Sequence, residues 1–315
     1  MLTPVGIVDE GRVSTDMGHT FLRTKEGATG IAARYYMNRN FFVNDPDAFT
    51  VSQQKIEERY TLQTPLSLSE AQASIALAAV SGGMYEIGDD LPKLGQDPSR
   101  LELVKNEDLL HMVKLGQAAT PVDLMTYQEA DAQPSVFLLR EDSRQSVLAV
   151  FNWTEEKRSH GLTFSELGLS GQHPYRLYDI FAHDRPLPLN HATIQLEDQP
   201  PHSVRLIKII DNSIPAAAPT IEANIPDNVK AGVDVQFSCV AAKAGVPAFA
   251  YHWDFGDGVK ADGASLTHTY TEPGAYTVQL SAEGLDGLPW KQRFSLTVGA
   301  GQSIPAPQRY VEPER

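Results

Sequence analysis

Two short loops that carry carboxylates place the strongest constraint on how this chain can fold. Residues 12–18 (RVSTDMG) come after the β-like run 4–8, and residues 44–47 (NDPD) come after the β-like run 40–43. Between the two loops, apolar residues recur at Ala28, Ile31, Ala32, Tyr35 and Tyr36, which is the spacing of one helix face. An alternation of strand and helix with polar residues at the strand ends is typical of a β/α barrel.

The same alternation continues to about residue 118. Ser67 and Glu70 have capping-box spacing and begin an alanine-rich helix, which Gly82 and Gly83 should end. Residues 84–87 are predicted to form a short third strand, and Asp97-Pro98 begins a helix that should reach about Leu115. A closed barrel needs eight strand–helix units, so three units predict either part of a larger barrel or a fold other than a barrel.

From about residue 126 the pattern changes to all-β. We expect an antiparallel β-sandwich over 126–210, with strands at 135–139, 146–151, 175–178, 193–196 and 204–209. A linker that contains Pro215 follows at 211–218, then a second all-β domain at 219–299 and a disordered tail at 300–315.

Composition excludes several classes of function. The net charge of −14 with no basic run argues against nucleic acid or an anionic membrane surface as partner. No apolar run approaches the length that spans a bilayer, so we expect no membrane insertion. The nine histidines lack ligand spacing and the single Cys239 fits a buried core residue, so the sequence predicts no metal site and no cofactor.

The last domain resembles the polycystic-kidney-disease (PKD) domain, a small immunoglobulin-like sandwich. The resemblance is carried by residues 253–258 (WDFGDG) and by 268–276 (HTYTEPGAY). Asp254 and Asp257 in the first motif suggest either a calcium site or side chains that organise turns, and the second interpretation is favoured. The resemblance implies an extracellular or periplasmic protein.

The first 118 residues resemble the end of the barrel in the α-galactosidase (melibiase) clan of retaining glycoside hydrolases. Three motifs carry the resemblance, in the family's order at strands 6, 7 and 8: residues 12–16, residues 44–47 and residues 83–91. The resemblance implies that Asp16 is the catalytic acid/base, that Arg12 contacts the sugar and that Asp47 lines the sugar site. Ala48 and Phe49 depart from the animal enzymes and are closer to bacterial members. Segments 176–180 and 201–207 resemble the domain that follows this barrel.

The chemistry of retention explains these residue types. Such enzymes hold two carboxyl groups about 5 to 5.5 Å apart, one as nucleophile and one as acid and then base. Asp16 must begin protonated, so we expect it to be partly buried or close to other carboxylates such as Asp47. Asp45 is a further candidate for sugar binding, although its place before proline also fits a turn cap. An aspartate after a strand, Asp16 included, is often only a turn or a helix cap.

The sequence thus predicts part of a secreted retaining α-galactosidase-like enzyme. The family's nucleophile lies on the fourth barrel strand, upstream of these motifs, so we expect no hydrolysis of α-galactosides by this chain alone. Variants of the same hypothesis change the sugar to N-acetylgalactosamine, arabinopyranose or glucose. The alternative is a non-catalytic protein that binds a carbohydrate or a surface. The expected partner is an oligo- or polysaccharide.

Overall fold

The structure is a computed structural model that describes residues 7–53, 57–58, 61–62, 65–182, 185–187, 193–227, 229–243 and 245–301. The chain divides into two compact units, Met1–Pro215 and Ala216–Arg315. The division lies within the predicted linker 211–218. The predicted disordered tail lies, except for residues 300 and 301, outside the described residues. None of the described helices is both long and apolar enough to cross a membrane.

The first unit begins with alternating strands and helices and continues with strands. Its elements are β1 (Glu10–Arg12), α1 (Phe21–Arg34), β2 (Val43–Asp45), β3 (Glu57–Glu58), β4 (Thr61–Leu62), α2 (Leu68–Val80), α3 (Leu91–Leu94), α4 (Pro98–Lys105), α5 (Glu107–Leu115), β5 (Thr120–Pro121), β6 (Val136–Arg140), β7 (Gln145–Asn152), β8 (Arg158–Thr163), β9 (Tyr175–Asp179), β10 (Arg185–Pro186), β11 (Thr193–Gln199) and β12 (Ser203–Asp211). Short 3₁₀ helices occur at Tyr35–Met37, Glu129–Asp131 and Ile180–Ala182.

The first two strands are parallel, as a β/α barrel requires. β1 pairs with β2 so that Glu10 lies opposite Val43 and Arg12 lies opposite Asp45. The first strand therefore lies later than the run 4–8 that we predicted: residues 4–6 are outside the described residues, and residues 7–8 are not in a strand. A side chain at Gly11 would place its Cβ 2.8 Å from the ring of Phe42, so this position needs glycine.

The predicted third strand is reduced to one contact. Residues 84–87 make a single parallel bridge between Phe49 and Ile87, and the Met84 N–H donates to the Asn44 carbonyl at 2.8 Å. A longer ladder is blocked, because Pro46 has no N–H to donate and Asp47 has a positive φ of 74°. A strand, a helix and a second strand therefore follow one another as predicted. The third strand, predicted over residues 84–87, is much shorter than we expected.

Helix α2 forms as its cap predicts. The Ser67 hydroxyl accepts from the Glu70 N–H, and the Glu70 carboxylate accepts from the Ser67 N–H. The helix is buried over residues 73–80, and Gly82 beyond its end has a positive φ of 69°. The single helix predicted from Asp97 to Leu115 is instead two helices. Asn106 ends α4 and its Oδ1 accepts from the Leu109 N–H, so it is also the N-cap of α5.

A six-stranded sheet in the order β10-β9-β12-β7-β6-β5 forms the centre of this unit, and all its pairs are antiparallel. Strands β8 and β11 form a second, two-stranded antiparallel sheet. One face of the large sheet shares a core with the small sheet, through Leu148, Val150, Ile207 and Ile209 with Phe164, Ile194 and Leu196. This part of the predicted sandwich is present.

The other face of the large sheet packs on the helices. Val147, Ala149 and Phe151 of β7 and Val204 and Leu206 of β12 share a core with Ile75 and Ala79 of α2. Strand β7 is buried at every residue because both of its faces are covered. The segments 1–118 and 126–210, which we predicted as separate domains, therefore share one hydrophobic core.

The second unit contains only strands: β13 (Ile221–Asn224), β14 (Val229–Lys230), β15 (Asp234–Ala241), β16 (Ala248–Asp254), β17 (Lys260–Asp262), β18 (Ser265–Thr269), β19 (Gly274–Gly284) and β20 (Trp290–Gly299). They form a three-stranded sheet, β13-β15-β18, and a five-stranded sheet, β14-β20-β19-β16-β17. Both sheets contribute to one core, in which Phe237 and Cys239 of the small sheet meet Trp253, Val278 and Leu280 of the large one. Cys239 is buried as predicted, and burial raises the pKa of its thiol to about 11.

Candidate active site

The site is built where the parallel strands β1 and β2 end. Because Arg12 lies opposite Asp45 in the register, the two loops that follow these strands leave the sheet side by side. The Val13 N–H donates to the Asp45 carbonyl at 2.9 Å, and the Ser14 hydroxyl donates to the Pro46 carbonyl at 2.6 Å. The sheet thus brings all four predicted site residues together, although about thirty residues separate the two loops.

Arg12 is the centre of this cluster. Its Nε donates to Asp45 Oδ2 at 2.9 Å, and its Nη1 lies 3.2 Å from Asp16 Oδ1 and 3.2 Å from Asp47 Oδ2. The hydrogen bond to Asp45 raises the pKa of the Arg12 guanidinium above its ordinary value, so the side chain is a fixed positive charge. Since Asp16 and Asp47 each have an oxygen at 3.2 Å from the same nitrogen, those oxygens are separated by no more than twice that distance.

Asp47 is held from several sides. One carboxylate oxygen accepts the Met17 N–H at 2.8 Å, and the other accepts the Ala48 N–H at 2.9 Å. Its backbone has a φ of 74°, a left-handed conformation that a non-glycine residue adopts at an energetic cost. Strain of this kind at a residue with a fixed carboxylate is a common property of functional sites.

Asp45 combines the two functions that its sequence position suggested. Its Oδ2 accepts from Arg12, and its Oδ1 accepts the Asp47 N–H at 2.8 Å, which is the hydrogen bond of a turn. Asp45 thereby orients both the arginine and the strained Asp47 backbone. Its side chain is 18% exposed, against 21% for Asp47.

Asp16 differs from the other carboxylates in its exposure. Of the two surroundings that we expected for it, burial or nearby carboxylates, burial is not observed, because its side chain is 94% exposed. The interactions described for the Asp16 carboxylate are with Arg12 alone. The other expectation, a carboxylate nearby, is met by Asp47 across the shared arginine nitrogen.

The charges do not balance. Three carboxylates surround one guanidinium, which leaves two negative charges uncompensated when all groups are ionised. An excess of negative charge can stabilise positive charge that develops on a bound ligand. Among the described residues, no group of three or more His, Cys, Asp or Glu side chains is arranged to hold a metal ion.

The segment after Asp47 is fixed by two residues that the sequence analysis did not place in the site. Asp89 accepts the N–H groups of Val51 and Ser52 at 2.8 and 3.0 Å, as a strand-end hydrogen-bonding group would. Arg100 is 1% exposed and donates to the main-chain carbonyls of residues 51, 66 and 67. No local pattern in the sequence signals the position of Arg100, because all three acceptors are main-chain atoms distant in sequence.

The turns of the second unit depend on two aspartates. Asp254 Oδ1 accepts the Gly256 N–H, and Asp257 Oδ1 accepts the Val259 N–H, each at 3.0 Å. Asp257 Oδ2 also lies 2.8 Å from Nε2 of His268, whose ring stacks on Phe255 at 4.0 Å. The interpretation of these aspartates as turn organisers is confirmed.

Residues 216–298 match the family model of the PKD domain. The second unit is a PKD domain. The match begins at Ala216, the first residue of the second compact unit. The PKD1 domain of Vibrio anguillarum Epp is similar to this part, with 22% identity over 28% of this chain and 100% of that one, and a TM-score of 0.25.

The first unit is similar to solved glycosidases. A β-L-arabinopyranosidase from Geobacillus stearothermophilus, solved with arabinose, is 18% identical, with a TM-score of 0.51 over 67% of this chain and 46% of that one. α-Galactosidase I from Mortierella vinacea is 15% identical, with a TM-score of 0.49 over 66% of this chain and 54% of that one. No curated protein matches the chain.

The likeness to the arabinopyranosidase shows the fold and not the reaction. The part of the chain before the PKD domain shares its fold with the arabinopyranosidase. The chain spans about half the length of these glycosidases. By their names, these two proteins act on an arabinopyranoside and on an α-galactoside.

Proposed function

We propose that this chain carries the acid/base half of the active site of a retaining glycoside hydrolase that acts on α-galactosides. In this proposal Asp16 protonates the leaving oxygen and then activates water, while Arg12, Asp47 and Asp45 bind the sugar. The nucleophile is supplied by residues outside this chain. The observation that supports the proposal most is the convergence of three carboxylates on one guanidinium at the ends of two parallel strands.

The geometry suits the different roles that we propose for these residues. Asp45 and Asp47 are fixed by main-chain hydrogen bonds and by Arg12, so they can orient a ring without rearranging. Asp16 is the most exposed of the three carboxylates, at 94%, and contacts Arg12. A general acid must reach hydrogen-bonding distance of the atom it protonates, and an exposed side chain is accessible to a glycosidic oxygen.

The experiment uses the native protein, purified from the cells that make it, and measures its length by intact-mass spectrometry. This native protein is then assayed with aryl α-galactosides whose leaving groups differ in acidity. Asp16→Asn should lower kcat/KM by about 10³-fold for a poor leaving group and by much less for a good one, because only the poor one needs a proton. Asp90→Asn, which changes an exposed cap of α3, is the matched control.

Two results would contradict the proposal. The first is an Asp16→Asn enzyme that keeps wild-type activity on every substrate, or that loses the same factor on all of them. The second is turnover by the 315-residue chain alone that disappears in Asp16→Asn, because the nucleophile would then lie on this chain.

A second candidate function is a non-catalytic protein that binds a carbohydrate or a surface. The observation that favours it is the 94% exposure of Asp16 and its pairing with Arg12, which is unusual for a proton donor. It predicts that the native form binds galactose without turnover, and that Asp47→Asn weakens this binding while Asp16→Asn does not. In both candidates we place the protein outside the cytoplasm, in the extracellular space or periplasm, because PKD domains are typical of extracellular proteins.

A further inference from the structure

Three aromatic side chains lie at the surface before β2, at the opposite end of that strand from Asp45 and Asp47. We call Tyr35, Tyr36 and Phe41 the aromatic corner. Tyr36 is 51% exposed and Phe41 is 39% exposed. The rings of Tyr36 and Phe41 have centroids 6.4 Å apart and are perpendicular, at 84°, and those of Tyr35 and Tyr36 are 6.0 Å apart at 85°. Large aromatic side chains that remain exposed together are often part of a binding surface.

The backbone that presents these rings is fixed by buried groups. Asn38 is 8% exposed; its Nδ2 donates to the carbonyls of Gly82 and Gly116, and its Oδ1 accepts the Asn44 N–H. The Phe41 N–H donates to the Met37 carbonyl at 3.0 Å. Both rings are therefore attached to a rigid turn, so little conformational entropy is lost when a ligand binds there.

The turn also stores backbone strain. Arg39 has a φ of 57°, its N–H donates to the Phe42 carbonyl at 2.7 Å, and its Nε donates to the Gly116 carbonyl at 2.9 Å. A left-handed arginine costs free energy and persists where the surrounding structure determines it. Asn40 and Phe41, which follow Arg39 in this turn, are both exposed.

The shape of the corner determines what it can bind. Perpendicular rings do not make a flat apolar surface of the kind that a protein partner buries. They offer one ring face on which a flat ligand can lie and a second ring as a wall at its side. The exposed Asn40 amide, whose Nδ2 donates to the Tyr36 carbonyl at 2.7 Å, adds polar atoms beside the rings.

We propose that the aromatic corner is an auxiliary binding site for one pyranose unit of a neutral polysaccharide. A pyranose has a face of C–H groups that packs on an aromatic ring and an edge of hydroxyl groups that hydrogen-bonds to an amide. The site does not use Asp16, Arg12, Asp45 or Asp47, because β2 separates it from them by about 10 Å of strand. It would hold a polymer on the protein independently of hydrolysis.

Native gel electrophoresis of the full chain in gels that contain galactomannan tests this site. The wild-type chain should migrate more slowly as the polysaccharide concentration rises. Tyr36→Ala and Phe41→Ala should each bind about five-fold more weakly, since each removes one ring contact. Tyr36→Phe keeps the ring and should bind like wild type. Leu91→Ala, at a side chain that is 59% exposed on α3, is the control and should change nothing.

A second measurement uses the unmutated chain, so it does not depend on whether a variant folds. Mannotriose should protect Tyr36 from nitration by tetranitromethane, as read by peptide mass spectrometry. Absence of retardation, equal retardation of Tyr36→Ala and wild type, or unprotected nitration of Tyr36 would each overturn the proposal. If Asp16→Asn loses the gel retardation but Tyr36→Ala keeps it, binding would be at the cluster of Arg12, Asp16, Asp45 and Asp47. That result would overturn the auxiliary site and leave the proposed function intact.

Discussion

A buried lysine in the first unit gives the sharpest test of what holds this fold together. Lys208 on β12 is 2% exposed, and its Nζ lies 2.6 Å from Glu141 Oε2 and 3.2 Å from Asp108 Oδ1. The Glu141 side chain is completely buried. The Tyr178 hydroxyl donates to Asp108 at 3.1 Å, which ties α5 to the sheet through the same group.

Lys208→Met should strongly destabilise the first unit. Methionine fills a similar volume but leaves Glu141 buried without a cation, and removal of one partner of a buried pair costs about 3–5 kcal/mol. The double variant Lys208→Met, Glu141→Leu should recover most of that loss, because no buried charge remains unpaired. Urea unfolding followed by tryptophan fluorescence measures both, with the PKD domain as an internal reference that should not change.

The pH dependence supplies an independent check of the same reasoning. Burial raises the pKa of the Glu141 carboxyl above its ordinary value, and Lys208 opposes this rise. A raised pKa in the folded state means that folding favours the protonated form of the Glu141 carboxyl. The stabilisation that this protonated form contributes is present at low pH and is lost as the pH rises through the folded-state pKa. The Lys208→Met penalty should therefore be large at pH 8 and smaller near pH 5. A penalty below about 1 kcal/mol at pH 8 would refute the argument that this ion pair compensates a buried charge.

Three further predictions concern other parts of the chain. Gly83→Ala should destabilise the first unit by about 3 kcal/mol in thermal unfolding, because a Cβ there would lie 1.8 Å from the Asn44 carbonyl oxygen. Gly95→Ala is the control: its Cβ would have no neighbour closer than 3.4 Å, so its stability should change by no more than about 0.5 kcal/mol. Arg100→Leu should cost about 3 kcal/mol in the same assay, because three main-chain carbonyls lose a charged donor; an unchanged midpoint would mean that water replaces the arginine. The Cys239 thiol, with a pKa of about 11 and a buried position, should react with a disulfide reagent at pH 8 only as fast as the PKD domain opens, and rapid reaction in the folded chain would contradict its burial.

The sequence was most informative where structure depends on neighbours in the chain. The cap formed by Ser67 and Glu70, the helix face with Ala28 and Ile31, and the strands of the second half are all local patterns, and the structure has them close to the predicted positions. The convergence of Arg12, Asp45 and Asp47 was also accessible, since consecutive parallel strands bring their ends together.

Except at Asn106, the errors occur where the deciding contact is distant in sequence. Residues 84–87 have a strand-like composition, but Pro46 and the left-handed Asp47 on the neighbouring segment remove the partners that a ladder needs. The break at Asn106 is a local signal that we overlooked, since asparagine is a favoured N-cap. The exposure of Asp16 depends on what covers the loop, which no pattern within residues 12–18 specifies.

The shared core explains why the composition change near residue 120 does not separate two parts that fold independently. Composition changes there because the elements change from helices to strands, and each type has its own spacing of apolar residues. Packing does not change, since Val147 and Phe151 of β7 and Leu206 of β12 lie in the same core as Ile75 of α2. The alternate residues of β7, Leu148 and Val150, face the small sheet. A strand that is apolar on both sides cannot remain soluble with one side uncovered, so the helices that cover β7 and the β-sheet must fold as one unit.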